Sequence, residues 1–230
     1  MKKIKVGLVG SSGRMGQEIV RLIELNPQYE IHCSLNRNVT WDKEKGAEVD
    51  VWIDFSSPEA LPQVLKFTGQ FKKPIVCGTT GLGAKEKKLL NSYSKKMPLL
   101  WSSNMSLGVA LLNEAIKVLA AVSHFDFQVE EIHHIRKKDK PSGTAITLQE
   151  NLSKVVKKGL PEPVAIRGGG VFGVHKVYAM SEEEVLVFEH GALNRTVFAR
   201  GAIQAAGWMV RQRKPGLYCM HDVLFGKKVL

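Results

Sequence analysis

The run Glu130-Glu131-Ile132-His133-His134-Ile135-Arg136-Lys137-Lys138-Asp139-Lys140-Pro141-Ser142-Gly143-Thr144-Ala145 gathers two imidazoles, several ammonium groups and a helix start. A histidine titrates near neutrality and can give or take a proton, and a lysine one turn away supplies fixed positive charge. Upstream, Phe125, Phe127, Val129 and Glu131 alternate onto one face of a segment ending at Ile132, which predicts a strand. Downstream, Pro141-Ser142-Gly143-Thr144 opens a helical pattern carrying Ala145, Leu148, Leu152, Val155 and Val156. The N–H groups at such a start form an anion site. On a strand His133 and His134 point to opposite faces, so they are expected to have separate roles. These residue types together predict a pocket for a small acid that also exchanges a proton. The residues alone leave open a solvated basic turn from Arg136 to Lys140, although Pro-Ser-Gly-Thr is a costly sequel for a surface loop.

The elements that must position this stretch read as an α/β chain. Ile4 to Val9 is a short apolar strand running into Gly10-Ser11-Ser12-Gly13-Arg14-Met15-Gly16 and a helix with Ile19, Leu22 and Ile23 inward. Glycines in that turn let the backbone approach a pyrophosphate, with the phosphates at the helix N-terminus; the spacing is GxxGxxG rather than GxGxxG. A second strand, Tyr29 to Leu35, ends in Asn36-Arg37, where a ribose-reading residue is expected. After the polar residues 38–48, a third strand runs from Val49 to Phe55, and Ser57 and Pro58 are expected as N-cap and first residue of a helix. Strands Pro74 to Cys77 and Pro98 to Trp101, separated by a helix from Ala84 to Lys95, lead into Gly78-Thr79-Thr80-Gly81 and Ser102-Ser103-Asn104-Met105. Both loops lie at the carboxyl ends of strands, where open α/β sheets bind ligands. A helical pattern from Ser106 to Ser123 precedes the central stretch, and a Gly- and Pro-bearing break at 157–163 follows its helix. Strands are predicted over Val164 to Ile166, Val171 to Met180 and Glu184 to His190, and a long helix from Asn194-Arg195 carries Phe198, Ile203, Ala206, Met209 and Val210. An unbroken βαβ series followed by clustered strands predicts a Rossmann-type nucleotide-binding domain plus a smaller α+β domain with a mixed open sheet.

Composition narrows the class. With 230 residues, 44% of them hydrophobic, the chain can bury one large core or two modest ones, and no apolar run reaches a membrane span. Met1-Lys2-Lys3-Ile4 leads into a strand pattern rather than a signal peptide, so a cytoplasmic protein is expected. Cys33, Cys77 and Cys219 are too dispersed for a disulfide framework or a zinc ribbon. The net charge of +11 is scattered without interleaved aromatics, which fits anionic small molecules rather than nucleic acid. His175 and His190 read as sheet-face residues rather than metal ligands, and no metal is expected. There is no Tyr-x-x-x-Lys pair and no Gly-x-Ser-x-Gly elbow. Two other readings stay open on the residues: a dehydrogenase for an aldehyde or amino acid, and a nonenzymatic nicotinamide sensor.

The His-His pair, Lys137 three residues on, and Asp139-Lys140-Pro141-Ser142-Gly143-Thr144-Ala145 resemble the signature of the 4-hydroxy-tetrahydrodipicolinate (dihydrodipicolinate) reductase family of the diaminopimelate and lysine pathway. Gly13-Arg14-Met15-Gly16, the two later loops, Phe198-Ala199-Arg200-Gly201-Ala202 and residues 216–224 are similar to the family's corresponding segments, so the resemblance spans essentially the whole chain. It implies NAD(P)H-dependent reduction of 4-hydroxy-tetrahydrodipicolinate: hydride goes to ring C4 of a conjugated imine formed by loss of water, and an enamine is then protonated. By resemblance His133 is the proton-transfer group and Lys137 its catalytic partner, and the dicarboxylate is held by His134, Lys137, Ser142, Gly143 and Thr144. The cofactor falls to Gly10, Ser11, Ser12, Gly13, Arg14, Met15, Asn36, Arg37, Gly78, Thr79, Thr80, Ser102, Ser103, Asn104 and Met105. The implied domains are 1–104 with 207–230 for the dinucleotide and 105–206 for substrate and oligomerisation, in a homotetramer. One departure bears on the cofactor: Asn36 stands where an acidic residue would repel a 2′-phosphate, and Arg37 follows it, so NADPH is expected to be preferred with NADH still used.

Overall fold

The computed structural model describes residues 2–36 and 41–226. In chain order the first part comprises β1 (Ile4–Val9), α1 (Arg14–Glu24), β2 (Tyr29–Leu35), α2 (Lys43–Ala47), β3 (Val51–Asp54), α3 (Leu61–Thr68), β4 (Ile75–Cys77), α4 (Ala84–Ser94) and β5 (Pro98–Trp101). Then come α5 (Leu107–Ala115), β6 (Asp126–His133), α6 (Gly143–Val156), β7 (Val164–Arg167), β8 (Gly173–Met180), β9 (Val185–Ala192), α7 (Thr196–Met209), β10 (Gly216–Tyr218) and α8 (Met220–Phe225). The chain divides into two compact units, residues 1–106 with 198–230 and residues 107–197.

The first unit is a six-stranded sheet ordered β10-β5-β4-β3-β1-β2, and its pairs are parallel. A parallel sheet covered on both faces demands strands apolar on both sides. Val51-Trp52-Ile53 and Ile75-Val76-Cys77 meet that demand with every residue buried. The chain leaves β1 for β2 on one side and then returns to β3 on the other, so the strand order reverses between β1 and β3 and opens a crevice at their carboxyl ends.

The second unit carries a mixed sheet ordered β7-β6-β8-β9, with β7 parallel to β6 and the other pairs antiparallel. Its inner face begins as hydrophobic core, where Phe127, Val129, Val177 and Ala179 pack with Leu148 and Leu152 of α6 and Leu112 of α5. Further along the same face the side chains become Glu131, His133 and His175, all buried.

Several boundaries differ from those the sequence predicts. Ser57-Pro58-Glu59 forms a turn, with the Ser57 carbonyl accepting from Ala60 N at 3.1 Å, and α3 starts at Leu61 with Pro62 in its first turn. Ser57 is therefore not the N-cap and Pro58 does not open the helix. Within 38–48 a short helix forms because Asp42 caps it, accepting from the N–H groups of Glu44 and Lys45. The pattern from Ser106 to Ser123 divides into α5 and a 3₁₀ stretch, Ile116–Val122. Periods of 3.0 and 3.6 coincide over so few residues, so the apolar spacing does not separate them. β10, three residues long, lies within the closing segment that carried no strand prediction.

Candidate active site

In the first unit the loops expected to meet the cofactor follow β1, β2, β4 and β5. Gly10 has φ +80, and a Cβ there would sit 2.5 Å from the Phe55 carbonyl oxygen; one on Gly16 would sit 2.2 Å from the Gly10 oxygen. Only glycine lets α1 start this close to the sheet. Gly13 is the N-cap of α1 and gives no side-chain cap, Met15 is half-buried, and Ser12, Gly13 and Arg14 are exposed beside half-buried Ser11. Orphan N–H groups at an uncapped, glycine-lined helix start suit a pyrophosphate, so the residues present fit a dinucleotide.

Farther along the sheet edge, Gly78 N bonds the Asp54 carbonyl at 2.8 Å, Thr79 is buried and Thr80 exposed. Ser102 donates from Oγ to the Asn104 carbonyl at 2.6 Å, and Ser106 N donates to Asn104 Oδ1 at 2.9 Å, which ties Ser102, Ser103, Asn104 and Met105 into one turn. Asn36 follows β2, its carbonyl accepting from Trp41 Nε1 at 3.4 Å, whereas Arg37 lies outside the described residues. A residue absent from the sequence-based site lies beneath this edge. Asp54 is fully buried, accepting from Thr79 Oγ1 at 2.9 Å, Cys77 Sγ at 3.3 Å and Ser56 N at 3.0 Å. Burial raises its carboxyl above the ordinary range against those bonds. An acid closing an otherwise apolar strand was the available signal.

The second unit holds a cluster of buried titratable side chains. β6 is the inner strand on which the site is built, and register sets its neighbours: Glu131 is opposite His175 of β8, and His133 is opposite Arg167 of β7. Glu131 Oε2 meets His133 Nδ1 and Arg167 Nη1 (3.0 Å); Oε1 meets Arg167 Nη2 (2.7 Å) and Ser142 N (3.1 Å). Burial would raise the Glu131 carboxyl, but the bonds from Arg167, His133 and Ser142 outweigh it and hold it below the usual carboxylate range. Burial also lowers the His133 pKa, and the opposing pull of Glu131 does not restore it. The His133 and His175 rings meet edge to face at 5.0 Å between centroids. His175, 2% exposed, has its pKa pushed down to about 3 by burial first and the nearby His133 charge second.

Ser142 is the N-cap of α6: its Oγ accepts from Ala145 N at 3.2 Å and lies 3.3 Å from His175 Nε2. Gly143 and Thr144 form the first turn, and Thr144 is buried. Lys137 Nζ is 2.8 Å from Asp139 Oδ2, and the Asp139 carbonyl accepts from Arg167 Nη2 at 2.7 Å. His134 lies one residue beyond the end of β6, half-buried, and its Nδ1 is buried with no hydrogen-bond partner among the described residues. The structure thus gathers His133, Lys137 and the α6 start around Glu131, and adds Arg167 and His175, which sequence reading did not place in the site. A charge on the core face of an alternating strand was the signal for Glu131; Arg167 and His175 come from register and carry no local motif.

A dinucleotide-type parallel sheet with a glycine-lined helix start, joined in one chain to an α+β unit carrying a buried acid–base cluster, defines a nicotinamide-dependent oxidoreductase. Residues 4–105 match the dihydrodipicolinate reductase N-terminal family and residues 108–224 the C-terminal one. The chain belongs to the dihydrodipicolinate reductase family. It is 68% identical over 227 residues, 99% of either chain, to a Bdellovibrio bacteriovorus protein named 4-hydroxy-tetrahydrodipicolinate reductase. A protein of that name from Campylobacter lari is 36% identical, over 96% of this chain and 99% of the relative. Dipicolinate-bound dihydrodipicolinate reductase from Paenisporosarcina sp. TG-14 shares the fold with a TM-score of 0.77 at 21% identity, over 97% of this chain and 100% of that one.

Proposed function

We propose that this chain reduces 4-hydroxy-tetrahydrodipicolinate to tetrahydrodipicolinate with a reduced nicotinamide cofactor, and that His133 transfers the proton. The observation that carries the residue assignment is the lock on His133: Nδ1 is committed to Glu131, so Nε2 is the nitrogen left to exchange a proton. When bound, the nicotinamide supplies the hydride. The glycine turn, Thr79, Thr80 and the turn at 102–105 hold and orient it.

The remaining work belongs to the second unit. Lys137, His134, the Ser142 hydroxyl and the N–H groups of Gly143 and Thr144 take the two carboxylates; the Ser142 N–H is committed to Glu131, while its Oγ accepts from Ala145 and keeps its O–H to donate. His133 is neutral at neutral pH in the ligand-free protein, since burial lowers its pKa. A bound dianion favours the charged imidazole, so substrate and proton arrive together, and the charged ring then donates from Nε2. Disappearance of reduced-nicotinamide absorbance, with the unstable substrate made in situ, tests the activity. His133→Ala is expected to lower kcat on the order of 10²–10⁴-fold with cofactor affinity retained. Near-wild-type turnover in that variant removes His133 from the role.

NADPH is the favoured cofactor on this reading, because β2 is followed by Asn36 rather than an acid and Arg37 offers a guanidinium for the 2′-phosphate. A bond to a charged group contributes about 1.5–3 kcal/mol, so Arg37→Ala is expected to lower the NADPH-to-NADH ratio of kcat/KM about ten-fold or more. An unchanged ratio moves the assignment to Arg14, exposed at the start of α1. A homotetramer through the second sheet is supported by that sheet's apolar outer face.

A further inference from the structure

We infer that Glu131, neutralised by Arg167, is a positioning residue that sets the tautomer of His133 and at the same time fixes the start of α6. The inference rests on the assignment of proton transfer to His133 and deepens it. Four hydrogen bonds converge on this one fully buried carboxylate from three elements: two from Arg167 of β7, one from His133 of β6 and one from Ser142 ahead of α6. A carboxylate paired this way with a guanidinium is ionised and accepts only, so the imidazole nitrogen facing it must carry a hydrogen. The proton-exchanging nitrogen is thereby Nε2 in every charge state of the ring. Through Ser142 N the same carboxylate fixes where the carboxylate-binding turn of Gly143 and Thr144 begins. Arg167 extends the frame, because its bond to the Asp139 carbonyl anchors the residue whose side chain holds Lys137. Proton donor and anion site therefore keep a fixed spacing through one side chain.

The charges that act on the His133 ring are Glu131 on its own strand, Lys137 in the following loop, Arg167 on β7 and His175 on β8. Among them only Glu131 favours the imidazolium. Glu131→Gln keeps the shape and an acceptor oxygen but removes that charge, and it leaves half-buried Arg167 without its counter-ion.

The test combines kinetics with imidazole ¹⁵N spectra. In the wild-type protein at pH 8, His133 is expected as the Nδ1–H tautomer; an Nε2–H signal overturns the inference, whether or not any variant folds. Glu131→Gln is expected to lower kcat on the order of 10²-fold, to move the inflection of kcat/KM against pH to lower pH, and to leave cofactor affinity unchanged. Glu131→Asp, which keeps the charge, is expected to restore the inflection toward wild type while recovering only part of kcat. A folded Glu131→Gln protein with reduced melting temperature but an unmoved inflection assigns Glu131 a merely structural role and overturns the inference. His133→Ala separates the two levels: if it retains turnover, the underlying assignment fails, whereas loss there with wild-type kinetics in Glu131→Gln defeats only the positioning role.

Discussion

At residue 173 the absence of a side chain decides how the His133 ring can sit. A Cβ on Gly173 would lie 2.9 Å from His133 Nε2, 3.3 Å from its Cδ2 and 3.5 Å from His175 Cε1. The His133 ring cannot yield easily, because its other nitrogen is held by Glu131. Gly173→Ala is therefore expected to turn the proton donor by a fraction of an ångström to an ångström, and displacement on that scale can cost about 10²-fold in rate. The measurement is kcat beside circular dichroism: a well-folded variant with wild-type kcat means this contact does not position the ring. Thr144 asks a different question. Thr144→Val removes a hydroxyl at the α6 start while His133 and Glu131 stay in place, so KM for substrate is expected to rise more than kcat falls. Equal losses in kcat and kcat/KM would instead give Thr144 a part in the transition state.

At the scale of elements, β6 is both core strand and site, and that shapes what pH does to the fold. His175, opposite Glu131 across the β6–β8 pair, has a pKa of about 3 in the folded protein against 6.5 when unconstrained. Below 6.5 the unfolded chain takes up a proton that the folded chain refuses. Stability is therefore whole above 6.5 and is lost as pH falls from 6.5 toward 3, by at most about 1.4 kcal/mol per pH unit for this group. His133, also lowered, adds loss in the same direction, while the depressed Glu131 contributes only below its ordinary range near 4.5. Urea unfolding at pH 7 and pH 5 isolates the histidines: His175→Gln is expected to lose less stability between the two than wild type does. An equal loss would mean that other groups carry the acid limb. The alternation that makes β6 a strand and the helix start at Ser142 were legible in the sequence, because period and capping chemistry are local. Arg167 was not, since its place opposite His133 depends on which residue of β7 aligns with β6 after a connection of more than twenty residues. Asp54 was missed for the same reason: its partners Cys77 and Thr79 belong to the neighbouring strand β4 and the loop after it. The mistaken start of α3 was a different failure, in which Ser-Pro-Glu makes a turn as readily as a first helical turn.

For the molecule as a whole, the second sheet presents a face that its own helices do not use. Outward from β7 to β9 it carries Val164, Ile166, Ile132, Val174, Tyr178, Met180, Val185 and Val187, while the inner face takes α6. Val164, Ile166, Val185 and Val187 are 47%, 42%, 58% and 48% exposed, values that single surface residues often reach but that here fall on one continuous sheet. An apolar patch with a few charges set into it is what a protein–protein contact needs. Lys176 lies amid this face, 3.6 Å from Glu130 and 3.7 Å from Glu189. With a net charge of +11 the chains repel at long range, so apolar burial must outweigh that repulsion, and raising salt should favour the assembly. Light scattering at assay concentration is expected to give about four times the chain mass of 25.5 kDa. Val187→Asp places a carboxylate on this apolar face, on edge strand β9, where burial in an assembly without a partner would cost several kcal/mol, and is expected to yield smaller species that still bind cofactor, because the nucleotide-binding sheet is untouched. A wild-type mass equal to one chain refutes the assembly, and a Val187→Asp protein that remains tetrameric moves the contact away from this sheet.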